Sequence, residues 1–432
     1  MRRKRECCAL VVWLGLSAMT AMAGETNRLS LRDAEEMAIR NHPRITQAEL
    51  LALASKEVVR EVRSAYFPTI TADATAAGSL GDNTRIAAGG LNNPLIFNRD
   101  AEGLTVSQLI TDFGRTINLN ASAKLNAQAE AEGALATREE ILLEVSAAYY
   151  DSLQAQTVLE VAKQTVATRQ LVFDQVSILA TNQMKSGLDV SFAKVDLEGG
   201  QLLLADAQNG LDAGFARLAN VLGGREQRNW LLVDEPVTSG PPPDATQMVQ
   251  TALRNRPDLL QLGFERGAAE KFARAERDLN YPTISAVGAA GVIPLREPDE
   301  LKSDYAAAGV NLSLPIFDGM LFSARKKEAE LRSQAAGEKL RDAENNAIRD
   351  VRLAVLNVNY AAQRMALTAQ LLESANEAFE LARARYKAGS SSIVELSQAQ
   401  LNQTEAEIAQ AGAKYEYQRR NAMLAFELGE LR

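Results

Sequence analysis

Two periods of apolar positions organise this chain. Val158, Val161, Thr165, Thr168, Val172, Gln175 and Leu179 are spaced alternately three and four residues apart. So are Met365, Thr368, Leu372, Ala375, Phe379, Ala382 and Tyr386. A mean period of 3.5 marks a coiled-coil seam. Each seam lies in a long run free of breakers: 116–182 and 321–386 hold no proline and one glycine each, Gly133 and Gly337. Both runs are rich in residues that cost least in a helix. A continuous helix of this length would reach ~100 Å at 1.5 Å rise per residue, far more than a globular core needs. The first seam includes two threonines and a glutamine, which fits helices packed side by side in a wall better than helices around one apolar core.

The second period is two. Thr69, Thr71, Asp73 and Thr75 alternate with Ile70, Ala72, Ala74 and Ala76, which predicts a strand over 66–78 with one small, polar face. Further strands are expected over 103–112, 281–292 and 309–318, with a loop over 79–102. Shorter helices are expected over 31–40 and 44–64. The first rod should end near Lys185, Ser186 and Gly187, and a returning helix should run from about Asp189 to Leu222. A linker over 225–243 carries Trp230 and three consecutive prolines.

The pattern then restarts. Ala252-Leu-Arg-Asn-Arg-Pro257 echoes Ala38-Ile-Arg-Asn-His-Pro43, and Asn280-Tyr-Pro-Thr-Ile-Ser285 echoes Tyr66-Phe-Pro-Thr-Ile-Thr71. Ala425-Phe-Glu-Leu-Gly429 echoes Ala219-Asn-Val-Leu-Gly223. Helix, strand, strand, long helix, returning helix therefore occurs twice, in repeats over 24–224 and 244–432. Proline placement agrees: none lies between 95 and 235 and none after 315.

Composition adds the compartment. A basic start (Arg2, Arg3, Lys4, Arg5), an apolar run and Ala21-Met22-Ala23 read as a signal peptide over 1–23. Both cysteines, Cys7 and Cys8, lie in it, so the mature chain has no disulfide or thiolate chemistry. Cleavage would take away four basic residues and one acidic one, lowering the formal charge from −8 to −11. An acidic exported chain is a poor nucleic-acid binder. No apolar stretch beyond the leader is long enough for a transmembrane helix, so entry into a membrane would have to be by strands.

Four strands of about ten residues have transmembrane length but cannot close alone. An open edge in lipid leaves backbone groups unpaired at several kcal/mol each, and single-chain barrels start at about eight strands. Either the strands form a soluble sheet or copies of the chain pool them, two giving eight and three giving twelve. A closed barrel above a long helical tube is a duct.

Over about residues 29–431 the sequence resembles the TolC-like outer-membrane efflux proteins. The likeness rests on the duplicated plan and on two turns at the far end of the rods, expected at 183–190 and 387–394. The second turn is the more specific. In Arg385-Tyr-Lys-Ala-Gly-Ser-Ser-Ser-Ile-Val-Glu-Leu396 an aromatic residue stands three before a glycine and an acid six after it. Gly389 suits a left-handed helix end, and Ser392 with Glu395 forms a capping-box pattern. The resemblance implies a mainly α fold with a membrane β-barrel portion: a trimeric α-helical barrel topped by a shared 12-stranded β-barrel, narrowed at its periplasmic tip by acidic side chains. By position Glu395 takes the first acid of that ring and Gln398 stands where a second is usual. Ser391 replaces a gate-holding arginine, and Tyr386 and Asp189 match the tyrosine and aspartate of the same latch. Aligning Asp189 with Glu395 leaves Gly187 only two residues ahead of the acid, so the first tip departs from the pattern. Adaptor contact is expected at Gly187, Leu188, Gly389, Ser390, Ser391 and Ser392. Independently of the family, carboxylates converging on an axis would favour cations.

The expected function is an outer-membrane exit duct of a tripartite efflux pump or type I secretion system, extending into the periplasm. Its partners would be two further copies, a periplasmic adaptor (membrane fusion protein), an inner-membrane pump and outer-membrane lipid, with no nucleic acid. A free-standing porin needs no rods; a soluble periplasmic coiled-coil scaffold or adaptor would leave the strands unexplained. No enzyme or cofactor is expected. The sole histidine, His42, precedes Pro43 at a helix junction, no G-x-x-x-x-G-K-[ST] run exists, and carboxylate pairs such as Glu139 and Glu140 fit solvated helix faces.

Overall fold

The computed structural model describes residues 28–78, 84–85, 95–96, 98–224, 230–234, 236, 244–296 and 302–431. The expected leader over 1–23, with both cysteines, lies outside them, as does most of the expected linker.

The described elements of the first half are β1 (Arg28–Leu29), α1 (Leu31–Asn41), α2 (Pro43–Arg63), β2 (Thr69–Ala77), β3 (Thr84–Arg85), β4 (Leu95–Ile96), β5 (Arg99–Thr111), α3 (Arg115–Thr181) and α4 (Gly187–Val221). After β6 (Leu231–Leu232), the second half contains α5 (Ala245–Asn255), α6 (Pro257–Arg277), β7 (Thr283–Arg296), β8 (Asp304–Ser313), α7 (Leu321–Lys387) and α8 (Ile393–Glu427). The paired helices match in length: 11 residues for α1 and α5, 21 for α2 and α6, 67 for α3 and α7, and 35 for α4 and α8. Leu31 to Ala245 and Pro43 to Pro257 are both 214 apart, whereas Arg115 to Leu321 and Gly187 to Ile393 are both 206 apart. The difference of eight residues therefore lies between α2 and α3, where the first hairpin connection is the longer one.

The long helices run the length of the molecule and the shorter ones fill in beside them. On the strand side α2, α3, α6 and α7 lie side by side; on the far side α4 lies along α3, α3 touches α8, and α8 lies along α7. The shorter helices meet end to end. Gly223, just past α4, sits against Asn41 and His42 at the start of α2, and a Cβ there would fall 2.6 Å from the Asn41 carbonyl oxygen. Gly429, past α8, repeats this against Asn255, at 2.8 Å. Both glycines have left-handed backbone, φ 74° and 70°, and close the helix with the 6→1 and 5→2 bonds of a Schellman turn: Gly224 N–H to Ala219 O and Gly223 N–H to Asn220 O, then Glu430 N–H to Ala425 O and Gly429 N–H to Phe426 O. Only glycine meets both demands, left-handed φ and close approach of another backbone.

The junctions differ in chemistry. The buried His42 caps α2, its Nδ1 accepting from Arg44 N–H at 3.2 Å. Its counterpart Arg256 is ion-paired with Asp258 at 2.8 Å and with the buried Glu427. Val221 stands where the second half has Glu427. Nearby, Tyr149, Phe215 and Trp230 build the largest apolar cluster. The Tyr149 hydroxyl lies 2.8 Å from Leu29 O and 2.7 Å from Val233 O, tying β1 and β6, which pair in parallel, to α3. Trp230 and Leu232 of the expected linker thus belong to a core.

The seams differ too. In α7 Ala375, Phe379, Ala382 and Tyr386 are buried as spaced, because the far half of α7 packs mainly along α8. In α3 the buried positions are Leu159, Ala162, Thr165 and Val176, while Gln175 is exposed. The single seam expected there is corrected: α3 touches both α4 and α8, so two faces share the burial. Thr165 Oγ1 lies 3.4 Å from Thr404 Oγ1 of α8.

β2, β5, β7 and β8 form one antiparallel sheet in that order, so the two repeats join through β5 and β7. Arg99 to Glu102 of the expected loop are strand. The last strand, expected over 309–318, lies at Asp304–Ser313. Its register with β7 ends at the Thr283–Ser313 pair, and Pro315, which cannot donate to a ladder, follows. One face carries Ile70, Leu104, Val106, Val310 and Leu312; the other carries Thr69, Thr71, Asp73, Thr105, Ser107, Asn311 and Ser313. No helix of the described residues is long and apolar enough to cross a membrane.

Candidate functional site

The far ends of the two helical hairpins have the same backbone. α3 stops at Thr181 and α4 starts at Gly187; α7 stops at Lys387 and α8 starts at Ile393. Each rod ends in a Schellman turn. Ser390 N–H bonds Arg385 O at 2.9 Å and Gly389 N–H bonds Tyr386 O at 3.0 Å; Met184 N–H bonds Leu179 O at 2.9 Å and Gln183 N–H bonds Ala180 O at 3.0 Å. The left-handed position is Gly389 (φ 77°) in one and Gln183 (φ 60°) in the other. Gly187, expected as the first tip's late glycine, instead begins α4, and Gln183 is the counterpart of Gly389. The motif keeps its length because four residues' dihedrals, not the glycine itself, define the turn.

Serines start both returning helices. Ser186 Oγ accepts from Asp189 N–H at 3.3 Å, and Asp189 Oδ2 accepts from Ser186 N–H and from its hydroxyl, both at 3.0 Å. This is a complete capping box. Ser392 Oγ accepts from Glu395 N–H at 3.3 Å, but the reciprocal bond expected from the sequence is missing. Glu395 turns away to Arg385, Nη1 to Oε1 3.0 Å. The attraction of a full charge replaces one orphan backbone bond. Both side chains remain about half exposed, so the pair contributes little stability.

Tyr386 is the last residue of the α7 seam and is only 8% exposed. It packs with Val176, Ala193, Phe379, Ala382, Ile393 and Leu396, a cluster drawn from all four helices of the tip. Its hydroxyl has no hydrogen-bond partner among the described residues, and Lys185 Nζ lies 4.4 Å from its ring centroid. Burial pushes the hydroxyl pKa up, and the nearby Asp189 charge pushes the same way. The structure thus brings Tyr386 and Asp189 into electrostatic range without a hydrogen bond. Gln398 is exposed and bonds Asn402 at 2.9 Å. Ser391 Oγ lies 3.3 Å from Ser392 O. Gly187, Leu188, Gly389, Ser390 and Ser392 are all exposed at the turns.

Three residues that the sequence did not single out complete the tip. Arg385 and Lys185 flank the acids, and Asp196 ties the hairpins together. Its carboxylate accepts from Ser397 Oγ of α8, and its carbonyl accepts from Arg169 Nη1 at 2.7 Å. Arg385 stands one residue before the seam tyrosine, so a basic residue there was the available signal; Asp196 and Ser397 are 201 apart in sequence and left none. Among the described residues no cluster of histidine, cysteine, aspartate or glutamate could hold a metal ion.

The chain as a whole is similar to known proteins. The family described as outer membrane efflux protein fits residues 35–224 and 248–430, the two repeats in turn. Outer membrane protein TolC of Escherichia coli (strain K12) is 22% identical over 431 residues, covering 96% of this chain and 84% of TolC. Outer membrane protein OprJ of Pseudomonas aeruginosa is 26% identical, covering 83% of this chain and 75% of OprJ. Among solved structures, CusC superposes with a TM-score of 0.80 at 20% identity, covering 92% of each chain.

Proposed function

We propose, from the premise that this chain belongs to the outer membrane efflux protein family, that three copies form a passive exit duct across the outer membrane and into the periplasm. One observation carries this reading. Among the described residues the sheet β2-β5-β7-β8 has two unpaired edges, one apolar face and one small, polar face, and neither face is covered by another element. In water such a sheet would bury one face; in lipid it must close. Two copies would give eight strands, whose interior side chains fill the bore, whereas twelve leave room for solute. Exposed apolar residues on α7 (Leu353, Leu356, Tyr360, Leu367 and Leu371) recur at helical spacing away from the chain's own contacts, the surface that a neighbouring copy would cover.

In this assembly the α-helical tube extends ~100 Å below the barrel and ends at the two turns. Glu395 and Asp189 line its narrowest part, with Ser391 and Gln398 beside them and the buried Tyr386 packed behind. Glu395 is held by Arg385, so the constriction is a ring of ion pairs and favours cations less than bare carboxylates would. The exposed turns at Gly187, Leu188 and Gly389 to Ser392 take a periplasmic adaptor, which links the duct to an energised inner-membrane pump. The conduit does no work itself.

The test is the mass of detergent-extracted outer-membrane protein together with its conductance in planar bilayers. Three chains per particle and discrete channel openings are expected. A lone protomer, or full recovery in the soluble periplasm without detergent, overturns the reading in favour of a scaffold.

A further inference from the structure

Tyr305 lies near the hairpin end of an edge strand, on a sheet that no other described element covers, yet it is only 38% exposed. Its cover is the sheet itself. A Cβ at Gly291 would fall 2.2 Å from Glu102 O, 2.6 Å from the Tyr305 hydroxyl and 2.7 Å from Gly103 Cα; one at Gly103 would fall 2.1 Å from the hydroxyl, 3.0 Å from Ala290 O and 3.1 Å from Tyr305 Cζ. Gly291 pairs with Tyr305, Gly103 with Gly291, and Asp73 with Gly103. The side chain therefore lies flat along one rung, crossing β7 to reach β5, in the space a Gly103 side chain would take, while Gly291 is demanded first by the close Glu102 and Gly103 backbone. The rung belongs to the polar face: Tyr305 shares its parity with Asn311 and Ser313, and Thr71 and Thr105 hydroxyls both donate to Asp73 Oδ2 at 3.3 Å. Between the rungs of Thr69 and Asp73 this face carries one charge, Asp73.

Resting on the trimeric duct above, we infer that Tyr305 determines both bore and solute preference inside the β-barrel. Three rings laid on glycine shelves keep the passage open at this level and line it with aromatic faces, at the same height as three Asp73 carboxylates. Aromatic faces and carboxylates both attract cations. The collar therefore takes organic cations entering or leaving by the outer mouth, and it is separate from the constriction at the helical tip.

The test uses the full-length protein in planar bilayers, with tetrabutylammonium added on the side of the outer mouth. Wild type and Tyr305→Phe should be blocked alike. Tyr305→Ala should weaken the block about fivefold, the scale of a partly exposed cation–π contact, and Asp73→Asn should weaken it too. Gly103→Ala puts a methyl where the ring lies and lifts the ring into the bore, so conductance should fall about twofold, the scale of a narrowed pore. Gly103→Ala/Tyr305→Ala should restore it. Block unchanged in Tyr305→Ala, or a double variant conducting as poorly as Gly103→Ala, overturns the inference; a Gly103→Ala chain that fails to assemble leaves the Tyr305→Ala block to decide. Wild-type protein that opens no channels and runs as a lone protomer overturns the duct instead.

Discussion

Arg385 and Glu395 face each other across the turn between α7 and α8, with Nη1 and Oε1 3.0 Å apart. The acid proposed to ring the constriction is thus partly neutralised from within its own subunit. Glu395→Gln should reduce cation over anion preference in bilayer reversal potentials, and Arg385→Ala should increase it. Because the pair is half exposed, neither change should cost more than about 1 kcal/mol of stability. Unchanged reversal potentials in both would remove Glu395 from the ion path.

The turn backbones allow a graded comparison. At Gly389 nothing lies within 4 Å of an added Cβ, so Gly389→Ala pays only for left-handed backbone, about 1 kcal/mol. At Gly429 the same φ is joined by Asn255 backbone at 2.8 Å, so Gly429→Ala should cost roughly 2–5 kcal/mol. Amide hydrogen exchange should show a local effect at the tip for the first. For the second, faster exchange should spread into α6 and α8. Equal, local effects would mean that the end-to-end packing is loose.

Gln183 pays the left-handed cost that Gly389 avoids. Gln183→Gly should slow exchange around 180–186 by relieving up to about 1 kcal/mol, less the entropy glycine gains in the unfolded chain. Faster exchange there would show that the glutamine side chain holds the turn.

His42 gives the fold a pH dependence. Burial lowers its pKa below 6.5, against the opposing pull of Glu144 and with a smaller push from Arg44. As pH falls below 6.5 the unfolded chain takes up the proton first, so the contribution present at neutral pH is lost through the folded-state pKa. The cap weakens in step, since Nδ1 must be unprotonated to accept from Arg44 N–H. His42→Asn keeps a capping acceptor and should flatten the stability profile between about pH 5 and 7. A profile identical to wild type would place the titration elsewhere.

Arg256→Ala strips the partner from the buried Glu427 and should cost roughly 3–5 kcal/mol. Arg256→Ala/Glu427→Val removes both members of the buried pair and should recover most of that in a denaturant or thermal melt. No recovery would mean that Arg256 acts mainly through Asp258.

The sequence by itself determined the duplication, the lengths of the rods and the place of both turns. These follow from local causes: proline exclusion, a 3.5 period, and serines that cap the next helix. It also supplied the alternation that gives the sheet a polar and an apolar face. Only the tertiary structure decided which residues answer each other across distance. It placed Asp73, Gly103, Gly291 and Tyr305 on one rung, set Arg385 on Glu395, and divided the burial of α3 between α4 and α8. The turn at Gln183 carries no mark in the sequence because glycine is the usual but not the obligatory occupant of a left-handed position; hydrogen bonds from both sides fix the backbone, and a side chain can bear the strain. Contacts between residues far apart in sequence leave no period to read, because each depends on where another element lies.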